Sequence, residues 1–128
     1  MPKRGVINTA YIDQVVELTE LFNRYNTHVF VDMHQDLYSR ESHGDGAPSW
    51  AVYTNSVPYQ KSDPWQLDYA NPAVARAFDN FWLDNYDLQV TFKKAIAAIA
   101  LRVRGVDAVI GYELFDESRP RRGYRCRV

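Results

Sequence analysis

Apolar and polar positions alternate along this chain in several distinct rhythms. Tyr11, Val15, Leu18, Phe22 and Tyr25 recur at steps of three and four, while Asp13, Gln14, Glu17, Glu20 and Arg24 take the other faces. That period predicts an amphipathic helix of about four turns, with Asn8 or Thr9 as its cap. "NRYNT" ends it, and the run from His28 to Met33, centred on Val29, Phe30 and Val31, predicts a buried strand. Asn71-Pro72 pairs an N-cap residue with proline at the first helical position, and Val74, Phe78, Phe81 and Trp82 give the helix that follows its apolar face. Another helix begins near Asp87, with Leu88, Phe92, Ala95, Ile99 and Val103 as its stripe and Gly105 as its C-cap. "DAVIGYELFDES" then predicts a second buried strand, ending in acid.

Between Gln35 and Asn71 no period holds. Gly44, Gly46, Pro48, Pro58 and Pro64 punctuate this stretch, and Trp50, Tyr53, Tyr59 and Trp65 are interleaved with them. A loop this long inside a domain is uncommon and usually functional. A short helix from Ser49 to Asn55 fits within it. The order helix, strand, loop, helices, strand predicts an α/β fold with a parallel sheet and right-handed crossovers.

Both predicted strands carry their ionisable groups at the C-terminal end, where parallel α/β architectures build active sites. Side-chain alternation puts Asp32 and His34 on one face with Asp36 just beyond, and puts Glu113, Phe115 and Glu117 on a shared face with Asp116 opposite. A carboxylic acid beside a histidine can transfer protons or hold hydroxyl groups. Structural roles stay open: Asp32 as a loop cap, His34 as a satisfied half-buried histidine, Glu117 as an exposed turn residue, Trp50 and Trp65 as packing. Asp32, His34 and Asp36, with His28 and His43 nearby, also offer oxygen and nitrogen ligands. No His-x-His or Cys pair supports a metal, so none is expected.

Composition narrows the class. A chain of 128 residues with 46% apolar content suffices for one modest domain. A net charge of −1 argues against a nucleic-acid partner held by phosphate attraction. Cys126 is the single cysteine, which excludes an internal disulfide framework. No apolar run is long enough to span a membrane, and the N-terminus shows no signal peptide. Three Trp, nine Tyr and six Phe are a heavy aromatic load, suited to a core but also to sugar rings and lipid chains.

"DMHQDLYS", "GAPSW", "NPAVARAFDNFW" and "GYELFDES" occur here in the order and near the spacing they have in endoglycoceramidases. The chain thus resembles that branch of glycoside hydrolase family 5, retaining enzymes built on the (β/α)8 barrel, from about Gly5 to Glu117. The loop after Ser39 is shorter than in the better-known members. The resemblance implies hydrolysis of the β-glycosidic bond between glycan and ceramide in glycosphingolipids, without a cofactor. It implies Glu117 as general acid/base, His34 and Asp36 as ligands of the sugar next to the scissile bond, and Asp32 as their support. Asp116, Trp65 and Trp50 are further candidates for substrate contact.

Two departures stand out. The family's Asn before the catalytic Glu is Asp116 here, which when ionised only accepts hydrogen bonds, and the Pro after it is Ser118. A whole barrel needs about 250 residues, so the resemblance implies only the third and fourth βα units. The family's nucleophile lies on the seventh strand and has no counterpart in this chain. The expected layout is a barrel segment over 1–118 and a basic, non-family tail over 119–128. Exposed barrel edges predict self-association and little activity of the segment alone. Two other readings remain: a family 5 β-glycosidase acting on soluble glycans, and a non-catalytic segment that acts only in an assembly. Secretion is what the family implies for the whole enzyme; the compartment of this chain stays unassigned.

Overall fold

The computed structural model describes residues 1–119, so Cys126 and the basic tail beyond Arg119 lie outside the described residues. The chain forms two units, one of Met1–Met33 with Val90–Asp116, the other of His34–Gln89 with the segment from Glu117.

In the first unit, helix α1 spans Thr9–Arg24, and Asn8 caps it by accepting the Tyr11 amide at 3.1 Å. Strand β1, Val29–Asp32, pairs in parallel with strand β2, Val109–Glu113. Val31 stands opposite Tyr112 and Asp32 opposite Glu113, with a register irregularity between Val29 and Phe30. The Val29 amide donates to the Ala108 carbonyl at 2.8 Å, and the Met33 amide to the Glu113 carbonyl at 3.0 Å. The parallel α/β arrangement expected from the sequence is therefore present, as a two-stranded sheet.

Three expectations for this unit need correction. Neither strand contains a buried residue; Phe30 and Ile110 are 57% and 62% exposed. A strand reads as buried when its apolar run is covered on both faces, and a two-stranded ribbon cannot cover both faces by itself. The stripe expected to seat α1 is also not its buried face. Tyr11, Leu18, Phe22 and Tyr25 are exposed, while Ile12 and Thr19 are buried. The helix has two apolar ridges, and periodicity does not say which one is covered. Finally, β2 stops at Glu113 instead of running on through Phe115.

In the second unit, helix α2 spans Pro72–Trp82 and starts as its sequence dictates, with Asn71 accepting the Ala73 amide at 2.9 Å and Pro72 at the first turn. Val74, Phe78 and Phe81 are buried as expected. The Tyr38 ring meets the fully buried Phe78 edge-on at 5.2 Å between centroids, and its hydroxyl donates to the Ala51 carbonyl at 3.2 Å. The helix expected from Ser49 to Asn55 is a single 3-10 turn, Ser49–Ala51.

Helix α3 spans Leu88–Arg102, and Gly105 takes the left-handed conformation beyond its end (φ 86°), as a C-capping glycine should. Arg102 forms an ion pair with Asp13 of α1. No helix among the described residues is long and apolar enough to cross a membrane.

Candidate functional site

The site lies within the second unit and starts from the loop after His34. Asp36 is anchored through both its backbone amide and its backbone carbonyl. Its amide donates to Asp45 Oδ1 at 3.0 Å, and its carbonyl accepts the Asp45 amide at 2.9 Å. This return requires the glycines of "GDG". A Cβ on Gly44 would lie 1.8 Å from the Asp36 carbonyl oxygen, and one on Gly46 (φ 106°) would lie 2.4 Å from the Gln35 Cβ. Leu37 and Tyr38 then take left-handed backbone angles, φ 50° and 74°. Such strain costs on the order of 1 kcal/mol per residue. Both side chains are almost fully buried, which returns about 1.5–3 kcal/mol for a leucine-sized group, so packing wins. Gln35 reinforces the turn, its Oε1 accepting the Tyr38 amide at 2.8 Å.

Two carboxylates meet on one hydroxyl. Tyr69 Oη donates to Asp36 Oδ1 at 2.7 Å and stands 3.0 Å from Glu117 Oε2. His34 Nε2 is 3.8 Å from Asp36 Oδ2, an electrostatic neighbour beyond hydrogen-bond reach. The Tyr69 phenol is pushed above its ordinary value, first by burial and then by its bonds to Asp36 and Glu117. Its backbone is fixed too: Arg119 Nη1 donates to the Tyr69 carbonyl at 2.7 Å, and the Arg119 carbonyl accepts Trp82 Nε1 at 2.6 Å. Arg119, expected as the start of a solvated tail, thus ties the segment after Glu117 to this unit.

Glu117 reaches the site from a turn, not from a strand. It is exposed, with φ 47°, four residues beyond the end of β2. The strand-face expectation for Glu113, Phe115 and Glu117 is therefore replaced by a turn that re-aims the carboxylate.

Beside Asp36 opens a cleft of about 440 Å³, lined by His43, Asp45, Lys61, Trp65 and Asp68 among others. Trp65 is 48% exposed and its ring lies 6.5 Å from that of Tyr69. Trp50 is half-buried in its 3-10 turn and is not among the residues lining the cleft. Asp32 is exposed at the end of β1, and Asp116 is half-buried in the first unit. Asp68 forms the floor of the loop. It is fully buried, accepting the Tyr59 hydroxyl on Oδ2 at 2.5 Å and the Ser62 amide on Oδ1 at 2.8 Å.

His34, Asp36 and Asp45 each bring one potential ligand atom to within 4.8 Å of the others. Asp45 Oδ1 and Asp36 Oδ1 already receive the Asp36 amide and the Tyr69 hydroxyl, so loop closure accounts for the grouping. Tyr69 and Asp45 are site residues that the sequence patterns above do not single out. The signal for Tyr69 was the Trp65–Tyr69 aromatic pair just before the Asn71 cap.

Two acids around a phenol, beside a cleft with an exposed tryptophan, bring proton-transfer groups and an aromatic face together. The proteins to which the chain is similar include endoglycoceramidases and a glucosylceramidase of Rhizopus delemar, the latter 28% identical over 91% of this chain and 22% of that protein. The chain is 31% identical over 120 residues to endoglycoceramidase I of Rhodococcus hoagii, covering 94% of this chain and 24% of that protein. Endo-glycoceramidase II from Rhodococcus sp., solved with a cellobiose-like imidazole, superposes with a TM-score of 0.84 at 38% identity, covering 91% of this chain and 28% of that one. The same enzyme has been solved as a lactosyl-enzyme intermediate and as a ganglioside GM3 complex. The crystal structure of endogalactoceramidase matches with a TM-score of 0.84 at 28% identity, over 93% of this chain and 29% of that one. No family model matches the chain. The chain spans about a quarter of the length of the curated relatives it matches.

Proposed function

We propose that this chain is a segment of a retaining β-glycosidase that hydrolyses the bond between glycan and ceramide in glycosphingolipids. It would correspond to the third and fourth βα units of the barrel, over residues 1–118. The observation that carries the reading is the shared hydroxyl: Glu117, open to solvent, and Asp36 both touch Tyr69 Oη. The names of the relatives, and the lactosyl-enzyme intermediate of one of them, support the reaction class.

In this reading Glu117 protonates the leaving glycosidic oxygen and later draws a proton from water. His34 and Asp36 hold hydroxyls of the adjacent sugar, and Trp65 offers its face to a sugar ring. A retaining site also needs a nucleophilic carboxylate about 5 Å from the acid. Asp36 does not fill that role, because the Tyr69 phenol occupies the space between it and Glu117. The acid half of the site is therefore in this chain, and the isolated 128-residue polypeptide is not expected to turn substrate over. The exposed strand residues Phe30, Ile110 and Tyr112 favour association through the open sheet.

The test is tryptophan fluorescence of the chain titrated with lactosylceramide in detergent micelles and with free lactose, against micelles alone. A saturable change with both ligands, lost in Trp65→Ala and kept in Glu117→Gln, is expected. Tighter binding of the lipid form supports the ceramide substrate. Equal binding favours the soluble-glycan reading. No change with either ligand contradicts the glycosidase reading.

A further inference from the structure

We infer that Tyr69 is a positioning residue that alternates between two hydrogen-bonded states, one matched to protonated Glu117 and the other to ionised Glu117. The inference rests on the acid/base reading of Glu117 above and extends it to a residue that reading does not need.

The argument starts from a proton count. A phenol carries one proton, yet Tyr69 Oη lies 2.7 Å from Asp36 Oδ1 and 3.0 Å from Glu117 Oε2. It can donate to only one carboxylate at a time. The shorter contact assigns its proton to Asp36. With the phenol proton directed to Asp36, Oη is free to accept from Glu117 when that carboxyl carries a proton. That is the form a general acid must hold before it protonates a leaving oxygen. Once Glu117 has given up that proton, its carboxylate becomes an acceptor, and the phenol O–H can rotate toward it. Glu117 is then held as a base for the water that follows. The phenol keeps its own proton throughout; only the direction of its hydrogen bond changes.

The surroundings suit this task. Burial and the two acids keep the phenol un-ionised. Arg119 grips the Tyr69 backbone carbonyl, and Trp82 fixes Arg119. Arg119 is two residues beyond Glu117, so the same local structure that orients the phenol also orients the turn carrying the acid. Groups with fixed partners on both sides hold geometry better than exposed ones, which is what an acid/base pair requires.

The test uses the full 128-residue chain labelled with 13C at the tyrosine Cζ, with the Tyr69 line assigned from Tyr69→Phe. The Cζ shift reports the hydrogen bonding of the phenol. The Tyr69 line is expected to respond to both acids. Glu117→Gln and Asp36→Asn should each shift it, while the line of exposed Tyr25 stays in place. A Tyr69 line that Glu117→Gln leaves unchanged would overturn the inference. A cellobiose-derived imidazole is then added and followed at the Trp65 indole. Coupling of the Tyr69 line to both acids without imidazole binding supports the phenol's role while contradicting the glycosidase reading. Binding without coupling overturns the phenol's role and leaves the glycosidase reading standing.

Discussion

The hydroxyl of Tyr59 donates to the fully buried carboxylate of Asp68 at 2.5 Å, and this bond underlies the loop that carries the candidate site. The Tyr59 bond, more than any other contact, holds the Asp68 carboxyl below its ordinary value of 3.8; burial opposes it and the bonds from Ser62 add to it. Tyr59 is pushed up from 10.0 to about 12, first by burial and then by Asp68. A depressed carboxyl contributes stability above its unfolded pKa and loses it as pH falls through the folded one. A raised phenol contributes stability below its unfolded pKa and loses it as pH rises through the folded one.

The first prediction follows from those signs. The urea midpoint of the chain should be flat with respect to this pair between the ordinary values 3.8 and 10.0, and should fall on either side. Asp68→Asn should weaken the acid limb, and Tyr59→Phe should weaken both limbs. An acid limb unchanged in Asp68→Asn contradicts the assignment.

Gly44 gives the second prediction. Its missing Cβ is what lets the Asp36 carbonyl approach, with 1.8 Å to a built Cβ. Gly44→Ala should cost roughly 1–3 kcal/mol, as overpacking does, and should displace the Asp36 amide signal in NMR spectra. Gly105→Ala meets nothing within 4 Å, so only its left-handed backbone resists, at about 1 kcal/mol. Equal effects on Asp36 from both variants would contradict this account of the turn.

Core and surface supply the third. Phe78 is fully buried against Tyr38, so Phe78→Ala should cost about 3–5 kcal/mol. Leu18→Ala removes a residue that is 52% exposed and should fall within about 0.5 kcal/mol of wild type. Chemical denaturation reads both. A large loss at Leu18 would mean that the Tyr11–Tyr25 ridge is covered after all.

The fourth concerns association. Phe30, Ile110 and Leu114 are each more than half exposed on or beside the two-stranded sheet, an open edge that invites pairing. Sedimentation velocity should show mass above that of the monomer, reduced by Ile110→Lys. A monomer at all concentrations contradicts this.

Features set by neighbours in sequence were legible in advance. Asn71, Pro72 and the Val74–Phe78–Phe81 stripe define α2 locally, and they are found as read. The apolar runs also predicted the two parallel strands. The choice between α1 ridges was not legible, because Ile12 and Leu18 are equally apolar and only tertiary packing tells them apart. The turn that carries Glu117 is not legible for a related reason. "GYELF" continues the strand pattern, but a strand continues only where a partner continues beside it, and the Glu113 pairing is the last. Tyr69 and Asp45 escaped because their link to Asp36 spans 33 and 9 positions respectively, which no period encodes. His34, Asp36 and Glu117 stand out in the sequence as ionisable groups following apolar runs, and all three lie in the second unit.

The most direct test of the central claim is an NMR map of lactose binding on the uniformly labelled 128-residue chain. The account predicts that signals of His34, Asp36, Trp65, Tyr69 and Glu117 shift together along one binding curve, weakened at least several-fold by Asp36→Ala. Shifts confined to other residues, or a curve that Asp36→Ala leaves unchanged, would contradict it.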